Sequence, residues 1–324
     1  LAAVTKVFDE GLLHYPALDA FTAGVRVTIE YVLQSPSFVY RPELGRPDGF
    51  DPQTRLVTLS QHEIASRVSY AILDSMPDPE LFRAADEGEL DQPDKLAAQV
   101  DRLLASPRAK AGILRFYDQV LRAKEYDAIS KSPMLYPWFD ATTGSEMRGE
   151  LSRFIEHHAL TQDGSIGDLL TATKTFITPK IAEVYGIDPA SLPPPDADGY
   201  SEVDLDPTQR AGLLTLSGFL AYKGTETQPD TILRGVFINM RILCQDLGDP
   251  PDEAMGAQFG GEATNRERVN ALTGPGTCGS TCHGTYINPL GFAFEHYGAV
   301  GEYRTTDGGQ PVDSSATYPF EGGA

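Results

Sequence analysis

The chain has 324 residues, 41% hydrophobic and 22% charged, a balance that suits two or three packing units rather than a disordered segment. A net charge of −20 repels phosphate backbones and anionic lipid, which argues against nucleic-acid and membrane-surface partners. No run approaches the ~18 consecutive apolar residues that would mark a membrane span.

The opening "LAAVTKVFDEGL" already has helical spacing and shows no signal-peptide pattern. The far end, "TYPFEGGA", closes in a glycine-rich turn, so both ends read as cut from a longer chain. Asp19 to Leu33 predicts a helix that stops before Pro36. The next helix begins with a capping box, Ser60 with Glu63, and ends at Pro77. Asp78 with Pro79, and Gln92 with Pro93 and Asp94, start two more. "PRAKAGILRFYDQVLRA", "SEMRGELSRFIEHHAL", "DPTQRAGLLTLSGFLAY" and "DTILRGVFINMRILCQDL" continue the helical period. Strand-like alternation is scarce. Segment 187–206 reads as a proline-rich surface loop, and segment 248–263 as a second break rich in Gly, Pro and acid. The fold class is therefore mainly α: a helical domain over 1–248, then a small loop-rich domain over 249–324.

Several polar groups have structural readings. His62-Glu63 is half of a zinc-protease motif, but position 66 is Ser, and the capping box accounts for Glu63. His157 and His158 are helix neighbours about 100° apart, so they cannot share one ion; one surface and one half-buried histidine are expected. Arg234, near a helix start, opposes the dipole and calls for a fixed carboxylate partner. Asp307 and Asp313 suit a turn linking two short strands better than a calcium loop.

"GTCGSTCHGTYINPLGFAFEHYG", residues 276–298, carries the chemistry. Two thiols followed by His are what covalent haem attachment needs, in the usual spacing C-x-x-C-H. Here the spacing is C-x-x-x-C-H, with Gly279 able to absorb the added residue. Cys278 and Cys282 would be the thioether anchors and His283 the proximal iron ligand. The Pro289 carbonyl is placed to hold the His283 Nδ1–H. Ile287, Leu290, Phe292 and Phe294 could wall a macrocycle. Met255, His296 and Met240 are distal candidates. A zinc knuckle would need two further ligands nearby, and only His296 offers itself. Cys244, the third cysteine, closes an apolar helix and could instead pair with Cys278 or Cys282.

In order and combination, "VLQSPSFVYRPELG", "LSQHEIASRVSYAILDSMPDPELFRAADEGEL", "GLLT", "ILRGVFINMRILCQDLGDPP", "NRERV" and "CHGTYINPLGFAFEHYGAVGEYR" resemble a family of secreted proteins that accompany planctomycete-type cytochrome c domains, also common in myxobacteria. The resemblance covers about residues 25 to 315. It implies a helical domain followed by a smaller one with a haem-type motif. It also implies a longer chain, often with a cytochrome-like domain before this region and a small domain after it. The chain departs from the family in its C-x-x-x-C-H spacing and at Gly298, where Asp is common.

Two functions follow. The first is a c-type haem protein, carrying covalent haem c, that acts in electron transfer or as a haem-dependent oxidoreductase, with a redox partner protein or a substrate. The second is a secreted helical binding or scaffolding module without haem, with Cys244 in a disulfide to Cys278 or Cys282. Both place the chain in the periplasm or outside the cell, where disulfides persist.

Overall fold

A computed structural model of the chain describes residues 2–162, 164–248, 261 and 264–319. These are mainly α-helical, with a few short antiparallel strand pairs. The chain divides into two compact units between Gly112 and Ile113. The boundary expected near 248 falls within the second unit, beside residues 249–260, which lie outside the described residues.

In the first unit the local start signals act as read. Asp19 accepts from the Thr22 N–H ahead of helix Ala20–Leu33, and Asp78 from the Leu81 N–H ahead of Pro79–Asp86. Ser60 and Glu63 form the reciprocal capping box of Gln61–Leu73. Glu63 also accepts from the Leu44 and Gly45 N–H groups, and its backbone donors hold the carboxyl down at about 2. His62 Nε2 meets Asp86 Oδ1 at 3.1 Å. Leu73, Leu81, Leu90 and Leu103 form the core with small alanines between them.

The second unit is built round helix Thr143–Ile155, whose Met147, Leu151, Phe154 and Ile155 pack with Ile177, Ile181, Phe219 and Phe237. Glu150 is fully buried on this helix. It accepts from the hydroxyls of Ser217 (2.5 Å), Tyr185 (2.6 Å) and Thr175 (3.0 Å). Burial nevertheless raises its pKa above the ordinary range.

Four sequence expectations change here. First, part of the supposed loop 187–206 is strand: Ser201–Asp204 pairs antiparallel with Lys174–Ile177, Phe176 opposite Glu202. Both strands are short and their pairing is non-local, which hid them. Second, the helix expected from "DPTQRAGLLTLSGFLAY" shrinks to Ser217–Tyr222. Gly212 stands before it at φ +65, where an added Cβ would meet the Leu170 backbone at 2.1 Å, and Leu216 is extended. Third, His157 and His158 sit in a π-helical segment, Glu156–Thr161, and both are half-buried, against Phe176 and Phe154. Fourth, Arg234 has no carboxylate partner among the described residues. It is 1% exposed, and its guanidinium donates to the carbonyls of Leu220, Lys223, Phe294, Tyr297 and Gly298 at 2.7–3.2 Å. A planar fork of five donors suits converging carbonyls as well as it suits carboxylates.

Candidate functional site

Helix Thr231–Phe237 positions the Cys-Cys-His segment from beneath. The helix and the motif meet at two glycines. A Cβ on Gly235 would lie 2.0 Å from the Ile287 carbonyl oxygen, and one on Gly291 would lie 2.1 Å from that of Thr231. Backbone therefore meets backbone, which only glycine permits. The chain continues as a π-helical turn, Ile238–Ile242, where Asn239 Nδ2 donates to the Tyr286 carbonyl at 3.0 Å and to that of Gly235 at 2.8 Å. This amide ties the two backbones together.

A buried polar lattice fixes the other side. Helix Asn265–Thr273 starts from a Thr264/Glu267 capping box. Asn265 Nδ2 donates to Thr231 Oγ1 at 2.9 Å and to Glu295 Oε1 at 2.8 Å, and Thr231 also donates to Glu295. Arg304 bridges Glu295 at 2.9 Å and Asp307 at 2.8 Å. Asp307 in turn accepts the Asn265 N–H at 2.6 Å. Asp307 lies in the strand Thr306–Asp307, which pairs with Gln310–Pro311, the turn read from the sequence. Every member of this lattice has a partner, the condition under which buried polar groups specify one arrangement.

On this frame Cys278 opens a 3₁₀ turn, Cys278–Ser280, and His283 opens a π-helical turn, His283–Ile287. The Cys282 thiol is free and exposed. The His283 imidazole is half-buried, and its Nδ1 is shut from solvent with no hydrogen-bond partner among the described residues. Burial pushes its pKa below the ordinary histidine value, and the Asn288 side chain partly offsets this. The expected Pro289 contact is not made: the Pro289 carbonyl accepts the Ala293 N–H at 3.3 Å, as the residue begins a new helical turn, Asn288–Phe292.

The proposed apolar wall is largely committed elsewhere. Leu290 and Phe294 pack against the main core, and Ile287 is buried beneath Gly235. Phe292 carries the Arg266 guanidinium 4.2 Å above its ring. Beside the motif lies a cleft of about 660 Å³ whose lining includes Arg266, Asn270, Ser280, Gly284, Asn288 and Phe292. Small-molecule and cofactor sites span about 300–1,000 Å³.

Of the distal candidates, Met255 lies outside the described residues. Met240 is exposed on the π-helical turn next to Asn239. His296 donates from Nδ1 to the Arg304 carbonyl at 2.8 Å and stacks on Tyr303, ring centres 5.2 Å apart. Cys244 is a free, exposed thiol at φ +55, just past the π-helical turn rather than inside a buried helix. Among the described residues no group of three or more His, Cys, Asp and Glu converges as a metal site. No helix among them is long and apolar enough to cross a membrane.

Sequence reasoning missed Asn288, Thr231, Asn265 and Glu295. Glycines at 235 and 291 were the available signal, since small residues inside helical patterns mark close backbone approach.

Residues 59–187 match the family described as PSD4: Protein of unknown function (DUF1592). Residues 210–307 match PSCyt3: Protein of unknown function (DUF1588), a match that contains the whole Cys-Cys-His segment. The two matches support the association with the planctomycete cytochrome c-associated families. No curated protein and no solved structure matches the chain.

Proposed function

We propose that this chain is a c-type haem protein acting in electron transfer or haem-based redox chemistry, in the periplasm or outside the cell. The observation that carries the reading is one pair of neighbours. The exposed Cys282 thiol is accessible for thioether formation, and the next residue, His283, holds an imidazole whose Nδ1 is closed in without a partner among the described residues. With Nδ1 closed in, Nε2 is the ring nitrogen that would be offered to a metal. The cleft beside the turn has room for a cofactor-sized group. The name PSCyt3, carried by the family matched over 210–307, fits the same reading.

In this reading Cys278 and Cys282 anchor haem c and His283 Nε2 is the proximal ligand. The bound group supplies a one-electron couple at iron. The chain supplies position. Gly235 and Gly291 let the motif backbone settle onto helix Thr231–Phe237, and the Asn265–Glu295–Arg304 lattice keeps it there. The Arg266 guanidinium on the rim of the cleft is paired with Asp313 at 3.3 Å and donates to the Asp313 and Ser315 carbonyls, which tie the C-terminal segment to that rim. The partner is a redox protein or a small substrate.

The test is a visible spectrum of the chain produced with a haem-attachment apparatus. His283→Ala should keep the Soret band and change the spin state. A spectrum unaltered by that substitution removes His283 as the ligand.

A further inference from the structure

Two buried polar atoms in the motif lack partners among the described residues, and they are complementary. His283 Nδ1 can donate; Asn288 Oδ1 can only accept. Asn288 is 1% exposed, so an unmet acceptor there carries a desolvation penalty. The backbone joins the two residues directly. The Asn288 N–H donates to the His283 carbonyl, closing a π turn that sets the fifth residue on beneath the first.

The orientation of the amide follows from its other contact. Thr273 Oγ1 donates to the Val269 carbonyl at 2.8 Å, so the hydroxyl is left as an acceptor. It accepts from Asn288 Nδ2 at 2.9 Å. The NH₂ end of Asn288 is thereby pinned on Thr273, and the oxygen end is left for the imidazole. Thr273 and His283 are also close in space. A Cβ on Gly279 would lie 3.3 Å from Thr273 and 3.4 Å from His283 Cδ2, so the three residues are contiguous. The Pro289 carbonyl, the acceptor that sequence spacing suggests, is occupied by the Ala293 N–H.

We infer that Asn288, oriented by Thr273, is the positioning residue for His283: its Oδ1 accepts the Nδ1–H and fixes the tautomer that leaves Nε2 as the free lone pair. The inference deepens the haem reading and rests on it for its consequence, since the free Nε2 is what a proximal ligand needs. The chain Val269 carbonyl, Thr273 hydroxyl, Asn288 amide and His283 imidazole then relays the position of helix Asn265–Thr273 to the ligand.

The test reads the tautomer and needs no haem. The full 324-residue chain is labelled with ¹⁵N-histidine, and two-bond ¹H–¹⁵N spectra are recorded at a pH where the imidazoles are neutral. The chain has six histidines, and His283 is identified by the signals lost in His283→Gln. The native chain should show the Nδ1–H form at His283. Asn288→Leu should move the ratio toward Nε2–H by about two- to tenfold, the effect of one ordinary hydrogen bond. Thr273→Val keeps Asn288 and removes only its anchor, and it should move the ratio in the same direction by less. If Asn288→Leu does not fold, Thr273→Val decides alone. A native Nε2–H form, or a ratio unchanged in the folded variants, overturns the inference. The haem reading fails separately, by a missing Soret band with the tautomer as stated.

Discussion

Replacing Arg234 tests the frame that holds the motif. The side chain is buried and donates to five carbonyls, drawn from Leu220 and Lys223 on one side and Phe294, Tyr297 and Gly298 on the other. Three of these carbonyls keep a backbone donor without it: Lys223 from Asp230, Phe294 from Tyr297 and Gly298 from Gly301. The loss in Arg234→Met therefore concentrates on Leu220 and Tyr297, at about 1–3 kcal/mol for each acceptor stranded in the interior. Relief from burying a charge offsets part of this; burial already pushes the guanidinium down to about 10. The expected net loss is roughly 2–5 kcal/mol, a large share of a domain's stability. Urea unfolding followed by fluorescence reads it, because Trp138 is the single tryptophan and packs on the core of the second unit. Arg234→Lys keeps the charge and loses the fork, so it too should destabilise, by at least about 1 kcal/mol. A neutral Arg234→Lys would mean that charge, not carbonyl clamping, is what the site uses, and the reasoning would fail.

Gly235→Ala should lower stability by about 1–3 kcal/mol or more, because the new Cβ meets the rigid Ile287 backbone; an unchanged thermal midpoint would show that the helices do not approach as described. Glu150 has a pKa raised by burial, so its contribution is fully present below its unfolded value of 4.5 and is lost as pH rises through the folded value. The stability of the native chain relative to Glu150→Gln should therefore fall as pH rises from 4.5, and parallel curves would refute this. Lys131 donates to the carbonyls of Ala221, Gly224 and Thr225, and burial pushes its pKa down to about 7. A depressed folded value means a contribution present above the unfolded 10.5 and lost as pH falls through about 7. Stability relative to Lys131→Met should accordingly rise from pH 7 to pH 10, and a flat difference would contradict the placement.

What could be read from the sequence divides by the range of the interactions. Caps at Asp19, Ser60 and Asp78 were legible because a side chain and a backbone N–H three residues on settle them. The strand pair Lys174–Ile177 with Ser201–Asp204 was not, since each strand is four residues long and finds its partner only through the fold. The Cys278, Cys282 and His283 pattern was visible as chemistry. Its supports were not: the acceptors round Arg234 are backbone carbonyls, which leave no mark on residue identity. Asn288 gains its meaning from Thr273, which precedes the cysteines on a separate helix. The π turns at 156–161 and 238–242 were read as ordinary helix, because one added residue per turn barely disturbs an apolar stripe, and the one at 283–287 lies in the stretch read as loop-rich.

The most direct measurement is acid-acetone extraction of the purified chain, made alongside a haem-attachment apparatus, followed by mass mapping of the peptide that holds residues 278–283. The account expects the colour to stay with the protein and that peptide to carry one haem, with Cys244 unlinked to it. Cys282→Ser should abolish or cripple haem retention. A colourless chain, haem fully extracted by the solvent, or Cys244 found cross-linked to Cys278 or Cys282 would contradict it.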